Sequence, residues 1–237
     1  MAQRSAETLS KGPRFQVSKG LMTVLVSTVV LFVLCAVIAP SSVSSGPLGS
    51  MIPFASILAI AGLGQMLVIQ QAGIDLSVPS AISLAAVIVT KFPQGDDGKL
   101  LSAIFIALGV AVLVGLLNGF LIGFLKLNPI IATLGTNALL FGFIMAITGG
   151  IPSSSAPLLL AVVSGLTFGV PNSAFIATAI LLLVVLALRK TVAGRRFESI
   201  GSSPAMASIS GLRVRIHHGM AYAVSYTHLT LPTICSV

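Results

Sequence analysis

The chain has 237 residues, 56% of them hydrophobic and 8% charged, with 13 Lys and Arg against 5 Asp and Glu. A mean hydropathy of +1.09 excludes an ordinary water-soluble domain and identifies a polytopic membrane protein. The net charge of +8 does not point to nucleic acid, because the basic residues form short blocks beside apolar spans and there are only two Tyr and no Trp to build a basic aromatic face.

The basic lead Arg4, Lys11, Arg14 and Lys19 precedes an apolar run from Leu21 to Ala39. That run is longer than the core of a signal peptide, Leu34 before Cys35 makes a poor lipoprotein site, and more spans follow, so it reads as an uncleaved anchor. Cys35 and Cys235 form neither a disulfide framework nor a metal site. A spanning helix needs about 20 apolar residues. Further segments that meet or approach this are Ile52–Gln70, Val78–Thr90, Leu100–Leu125, Pro129–Thr148 and Ser173–Leu188. The span from Val78 is short, which implies a tilted, broken or partly re-entrant segment surrounded by protein or a wet cavity.

Charge orients the set. Residues 1–20, Lys126 and the block Arg189 to Arg215 are basic, whereas the loops Pro40 to Ser50 and Gly149 to Asn172 carry no charge. Basic loops face the cytoplasm. Six alternating spans starting from a cytoplasmic N-terminus place every basic loop inside and the near-neutral Lys91 to Lys99 loop outside. The expected fold is an all-α polytopic membrane helical bundle: segment 1–20, six complete spans over 21–188, a cytoplasmic loop 189–215 and the start of a seventh span over 216–223.

The ending VSYTHLTLPTICSV, Val224 to Val237, turns polar with His228, Thr230 and Pro232 and does not read as the continuation of a membrane helix. It resembles the conceptual translation of a sequencing-library adaptor. Residues 224–237 are therefore expected to be a non-native tail on a chain cut near Ala223.

Missing motifs remove several chemistries. GDDGKL, Gly95 to Leu100, lacks the spacing and the hydroxyl after Lys that a nucleotide cradle needs. His217, His218 and His228 all follow the six spans, so no Ser-His dyad and no HExxH zinc site assembles within them. No catalytic residue, metal or cofactor is expected.

The polar residues inside the spans are the candidates for function. In QQAGIDLSVPS, Gln70 to Ser80, Asp75 stands where the only other acids between Leu21 and Ile180 are Asp96 and Asp97. With Ser77 and Pro79 after it, the carboxylate falls near a helix N-terminus, whose partial positive charge stabilises an anion. GLLNGFLIG places Gly115, Gly119 and Gly123 on one helical stripe where another backbone can approach. Asn118 between them must find a partner, either across helices or along a solute path. Pro129 suits the first position of its helix. Thr133 and Asn137 then share a face, with Thr136 beside them, and such hydroxyls and amides suit a neutral, hydroxyl-rich solute better than an ion; back-bonding to helix carbonyls is the alternative. The candidate translocation or gating set is thus Asp75, Ser77, Asn118, Thr133, Thr136 and Asn137.

GRRFESIGSSPAMASISG, Gly194 to Gly211, holds a short helix that starts at Ser203-Pro204 and stops at Gly211. Met206 and Ile209, three apart, share an apolar face that wants a partner. Docking to another protein is favoured over lying on lipid, which Arg195, Arg196, Arg213 and Arg215 would assist.

GLGQMLVIQQAGIDLSVPSAISLAAVIVT, GLLNGFLIGFLKLNPIIATLGTNALLFGFIMAITGG and RRFESIGSSPAMASISG, in this order across most of Ile60 to Gly211, resemble permease subunits of ribose-type and other monosaccharide ABC importers. The resemblance implies a multi-pass permease of the bacterial inner membrane that moves a monosaccharide such as ribose. It also implies a homodimer working with a cytoplasmic ATPase and a periplasmic or extracellular sugar-binding protein. The segment with Arg196, Glu198, Gly201, Ser203, Met206, Ala207, Ile209 and Gly211 would be the ATPase-coupling loop. The chain departs from the family pattern at Ala72 and Pro79, where Gly is usual, and at Ser203, where Asn is common. Two other classes compete: an ion- or proton-coupled carrier using Asp75, and a membrane enzyme for which no nucleophile and base are visible.

Overall fold

A computed structural model describes residues 18–151, 155–212 and 214–233, without the side chains of 164, 215, 216, 218 and 227–233. The chain divides into two units, Met1–Leu48 and Gly49–Val237. In the first, helix α1 (Lys19–Ile38) opens on Ser18, whose hydroxyl accepts from the Leu21 amide at 3.2 Å. None of its residues is buried. A helix apolar on every face needs hydrocarbon around it. A 3-10 turn over Pro40–Val43 follows.

The second unit contains most of α2 (Ser45–Gln70), then α3 (Val78–Lys91), α4 (Leu100–Gly123), α5 (Pro129–Thr148) and α6 (Pro157–Ser164). A small antiparallel hairpin, β1 (Leu166–Thr167) with β2 (Val170–Pro171), pairs Leu166 with Pro171. Helices α7 (Asn172–Lys190), α8 (Val192–Ser202), α9 (Pro204–Ile209) and α10 (Val214–Thr233) complete it. Among the described residues, five helices, α1, α2, α4, α5 and α7, are long and apolar enough to cross a membrane. The all-α bundle expected from hydropathy is what forms. The 14 residues of α3 rise only about 21 Å, short of the ~30 Å of hydrocarbon, in keeping with the short third span.

Three features lie beyond the elements that hydropathy delineates. The uncharged loop after α5 holds α6 and the hairpin. The loop after α7 contains α8 as well as α9. The last helix includes residues read as a tail: α10 runs unbroken from Val214 to Thr233, with Ala221, Tyr222, Ser225 and Tyr226 buried. No proline interrupts it before Pro232, and its polar letters at 225 and 226 turn inward.

Helix α3 lies against α4, α5 and α10, and α4 lies against α10 along its length. The core between them is built from small side chains, including Ala81, Ala85, Ala103, Ala107 and Ala111, with Leu84, Leu140 and Ile144 filling the gaps. A methyl carbon at Gly115 would stand 2.6 Å from Ala223 Cα, and one at Gly119 would stand 2.5 Å from the Gly219 carbonyl oxygen. These contacts are backbone against backbone, which only glycine permits.

The end of α2 sets up the site. Gly73 N–H donates to the Val68 carbonyl at 3.1 Å and Ala72 N–H to Ile69 at 2.9 Å, the paired bonds of a Schellman ending. That ending needs a left-handed residue, and Ala72 supplies it with φ of +56°. For an L residue the left-handed region costs about 1–2 kcal/mol. Glycine would lose up to ~1 kcal/mol through the unfolded chain instead, and the Ala72 side chain is exposed with no packing to forfeit. Ala72→Gly is therefore expected to stabilise the fold by up to about 1 kcal/mol, read as a raised unfolding midpoint in detergent.

Candidate functional site

Beyond this turn the chain re-enters the bundle as Ile74 to Ser77 before α3 begins. Asp75 is 4% exposed and Ser77 is fully buried. One carboxylate oxygen, Asp75 Oδ1, accepts from the Ser77 amide at 2.9 Å and from the Ser77 hydroxyl at 2.5 Å. The side chain thus closes a local turn at the N-terminus of α3, where the helix end favours negative charge.

The turn is pinned on three sides. From α4, Asn118 Nδ2 donates to Ser77 Oγ at 3.0 Å and to the Tyr226 hydroxyl at 2.8 Å. The Asn118 carbonyl oxygen accepts from Thr136 Oγ1 of α5 at 2.6 Å. Also from α5, Thr133 Oγ1 accepts from the Leu76 amide at 3.1 Å while donating back to the Pro129 carbonyl at 2.7 Å. From α10, Tyr226 shares a short hydrogen bond with Ser77 Oγ and donates to Asp75 Oδ1 at 3.3 Å. Asn118 and Thr133 are fully buried and Thr136 nearly so.

Five of the six candidate path residues, Asp75, Ser77, Asn118, Thr133 and Thr136, therefore meet around one turn. Asn137 does not join them: it is half-buried, and its Oδ1 is buried without a hydrogen-bond partner among the described residues. The same holds for Asp75 Oδ2 and the Tyr222 hydroxyl. Thr133 does what back-bonding predicts and also serves the turn; Thr136 reaches across to α4 instead. Asn118 bonds between helices.

Tyr226 is the member that sequence reasoning missed, having been assigned to a tail outside the bundle. A signal existed. Tyr222 and Tyr226 are the only tyrosines in the chain and are four apart, which puts both on one helical face. That face meets the turn and the glycine stripe: a side chain at Gly73 would run into the Tyr222 hydroxyl, and Gly115 touches the backbone of Tyr222 and Ala223. Gly123 is buried on the same helix as Gly115 and Gly119.

The second group of candidates forms a separate surface. Thr191 caps α8, its hydroxyl accepting from the Gly194 amide at 3.0 Å. Ser203 caps α9, accepting from the Met206 amide at 3.4 Å. Gly211, with φ of +79°, ends it through bonds from Gly211 N–H to Ser208 and from Leu212 N–H to Ala207. Ala207 is buried, while Met206 and Ile209 are 65% and 82% exposed. Arg196 and Glu198 are exposed on α8. On its other side α8 touches the end of α2, where a side chain at Gly201 would meet the Gln70 carbonyl.

Residues 48–225 match the family described as branched-chain amino acid transport system / permease component. A probable ABC transporter permease protein, y4mJ, of Sinorhizobium fredii is 34% identical over 78% of this chain and 56% of its own length. The fructose import permease protein FruF of Bifidobacterium longum is 32% identical over 76% of this chain and 52% of its own. The ribose import permease protein RbsC of Haemophilus influenzae is 29% identical over 84% of this chain and 63% of its own. The chain thus spans a little over half the length of these curated relatives. No solved structure matches.

The cluster carries a testable energetic consequence. An interhelical hydrogen bond in a membrane is worth about 0.6 kcal/mol on average, and Asn118 makes three, so Asn118→Leu should destabilise the bundle by about 2 kcal/mol. An unfolding titration in mixed micelles measures it, and an unchanged midpoint would show that the network adds no stability.

Proposed function

The chain belongs to the branched-chain amino acid transport system / permease component family, and we propose that it serves as the membrane-spanning subunit of an ABC importer for a monosaccharide such as ribose. The observation that carries the proposal is the face of α9. A six-residue capped helix leaves Met206 and Ile209 exposed, inside the 189–215 segment that carries six of the chain's 13 basic residues. An exposed apolar pair outside the spans is a feature of protein interaction sites, and the basic surround favours a cytoplasmic location. The partner proposed for this face is a cytoplasmic ATPase that supplies the energy.

The remaining assignments follow from the same reading. The N-terminus is cytoplasmic, the protein lies in the bacterial inner membrane, and a second copy completes the pathway. A sugar-binding protein delivers solute from the opposite side. The names of the fructose and ribose import permeases support a monosaccharide as substrate, and so does a buried set rich in hydroxyl and amide groups with a single carboxylate. Asp75 holds the start of α3 in this scheme, and Ser77, Asn118, Thr133, Thr136 and Asn137 offer hydroxyl and amide groups near the solute's route. The docking face does not depend on residues 224–237, and the bonds from Asp75 through Ser77 and Asn118 to Thr136 are complete without Tyr226.

A second reading has one observation in its favour: the buried Asp75 keeps Oδ2 unpaired among the described residues, as a proton- or ion-coupling site would. One experiment separates the two. The permease is expressed with its candidate ATPase, as wild type and with Met206→Asp and Ile209→Asp together. Each lost anchor is worth ~1 kcal/mol or more, so co-purification should fall about tenfold or more while the bundle stays folded. Loss confined to the variant supports the importer. No association in either form, with uptake abolished by collapsing the proton gradient, supports the carrier.

A further inference from the structure

We propose that Gln71 is the positioning residue that transmits movement of the 189–215 loop to the buried polar cluster, by tying the 71–77 turn to the backbone of α8. The inference rests on the importer reading above and specifies how its two halves communicate.

Gln71 is 5% exposed, and its Nε2 donates to the Phe197 carbonyl at 2.9 Å across 126 residues of sequence. Four residues along the same face of α8, Gly201 lets that helix rest on the Gln70 carbonyl with no side chain between. Ile200, fully buried, and the half-buried Phe197 complete the seat, Phe197 packing against Leu63, Leu67 and Val184. The loop that presents Met206 and Ile209 is thus bonded directly to the end of α2.

From that point to the polar cluster the chain has little slack. Residues 68–73 are held by the paired backbone bonds of the α2 ending. Residues 75–77 are held by the Asp75 carboxylate. Between them lies only Ile74. Leu76 then bonds to Thr133 and Ser77 to Asn118. A shift of α8 must therefore either pull the start of α3 against α4 and α5 or break the Gln71 bond. Packed and hydrogen-bonded chains of this kind can carry energetic coupling between distant sites, and the element taken to move at the far end is α3, whose 14 residues fall short of the bilayer.

The choice of glutamine argues against simple packing. Gln71 Oε1 is buried with no hydrogen-bond partner among the described residues, a cost that an apolar side chain of the same size would avoid. A residue selected only to fill this seat would be Leu or Met. Gln71 accepts the unpaired oxygen and in exchange holds the Phe197 carbonyl.

The test uses the importer reconstituted in vesicles with its ATPase and sugar-binding protein, and reads the solute moved per ATP hydrolysed. Gln71→Leu and Gln71→Met should both assemble, with an unfolding midpoint equal to or above wild type. Both should lower the coupling ratio at least fivefold, because hydrolysis continues without driving α3. Gly201→Ala, which lifts α8 off the same seat, should act in the same direction, and combining it with Gln71→Leu should add less than the product of the two effects. A Gln71 variant that assembles and keeps its coupling ratio within twofold of wild type overturns the inference and leaves the importer reading standing. Failure of the wild-type permease to bind any ATPase overturns the importer reading, and the inference with it.

Discussion

A carboxylate inside an apolar bundle must be hydrogen-bonded or it is driven out, because hydrocarbon offers nothing in place of water. Asp75 meets that demand with donors from its own turn and from α10, and the demand shapes the chain around it. The backbone has to leave the helix at Gln70, turn sharply, and start a new helix at Ser77 so that amide and hydroxyl donors converge on one oxygen. Once Ser77 is committed to Asp75, its hydroxyl becomes the natural acceptor for Asn118, and Asn118 in turn becomes the acceptor for Thr136. One buried carboxyl group thus recruits polar groups from α4, α5 and α10, and these fix the position of a helix too short to anchor itself across the bilayer.

The second constraint is proximity. Asn118 reaches Ser77 and Tyr226 because α4 and α10 come within backbone contact at Gly115 and Gly119. With ordinary side chains at those positions the helices would be separated by roughly 8–10 Å between axes, and an amide on a short stem would fall short. The apolar layer beside the cluster is correspondingly rich in alanines. Polar network and small-residue packing are therefore two parts of one arrangement, each requiring the other.

Hydropathy alone delineates α1, α2, α4, α5 and α7, since length and apolarity are decided locally. The start and stop of α9 are also local, written in Ser203, Pro204 and Gly211. By contrast α6 is completed from a distance: the amide of Leu158, in its first turn, donates to Asp97 Oδ1 at 2.9 Å, 61 residues away. Thr191 caps α8 locally, but α8 gains its seat only from the end of α2. In the cluster, Asp75, Ser77, Asn118, Thr133 and Thr136 were legible because polar residues are rare in these spans. Tyr226 was not, because its neighbours read as a break in hydropathy, and only the contact with α4 and α3 turns its face inward. Asn137 shows the converse: a polar letter in the right span need not point into the shared site.

The Gly119 contact carries a consequence for how such a bundle can change over generations. The atoms that any side chain at Gly119 would strike belong to the backbone of Gly219, its carbonyl oxygen and Cα. No exchange of side chain on α10 can make room, because every residue type carries those same atoms. Pairs of ordinary core residues drift together, a larger one tolerated when its neighbour shrinks. Here the compensating move does not exist, so the position is held alone. Among homologous sequences a contact of this kind leaves invariance at a single site and no correlated change across the interface, and a search for co-varying pairs would pass over the closest approach between α4 and α10.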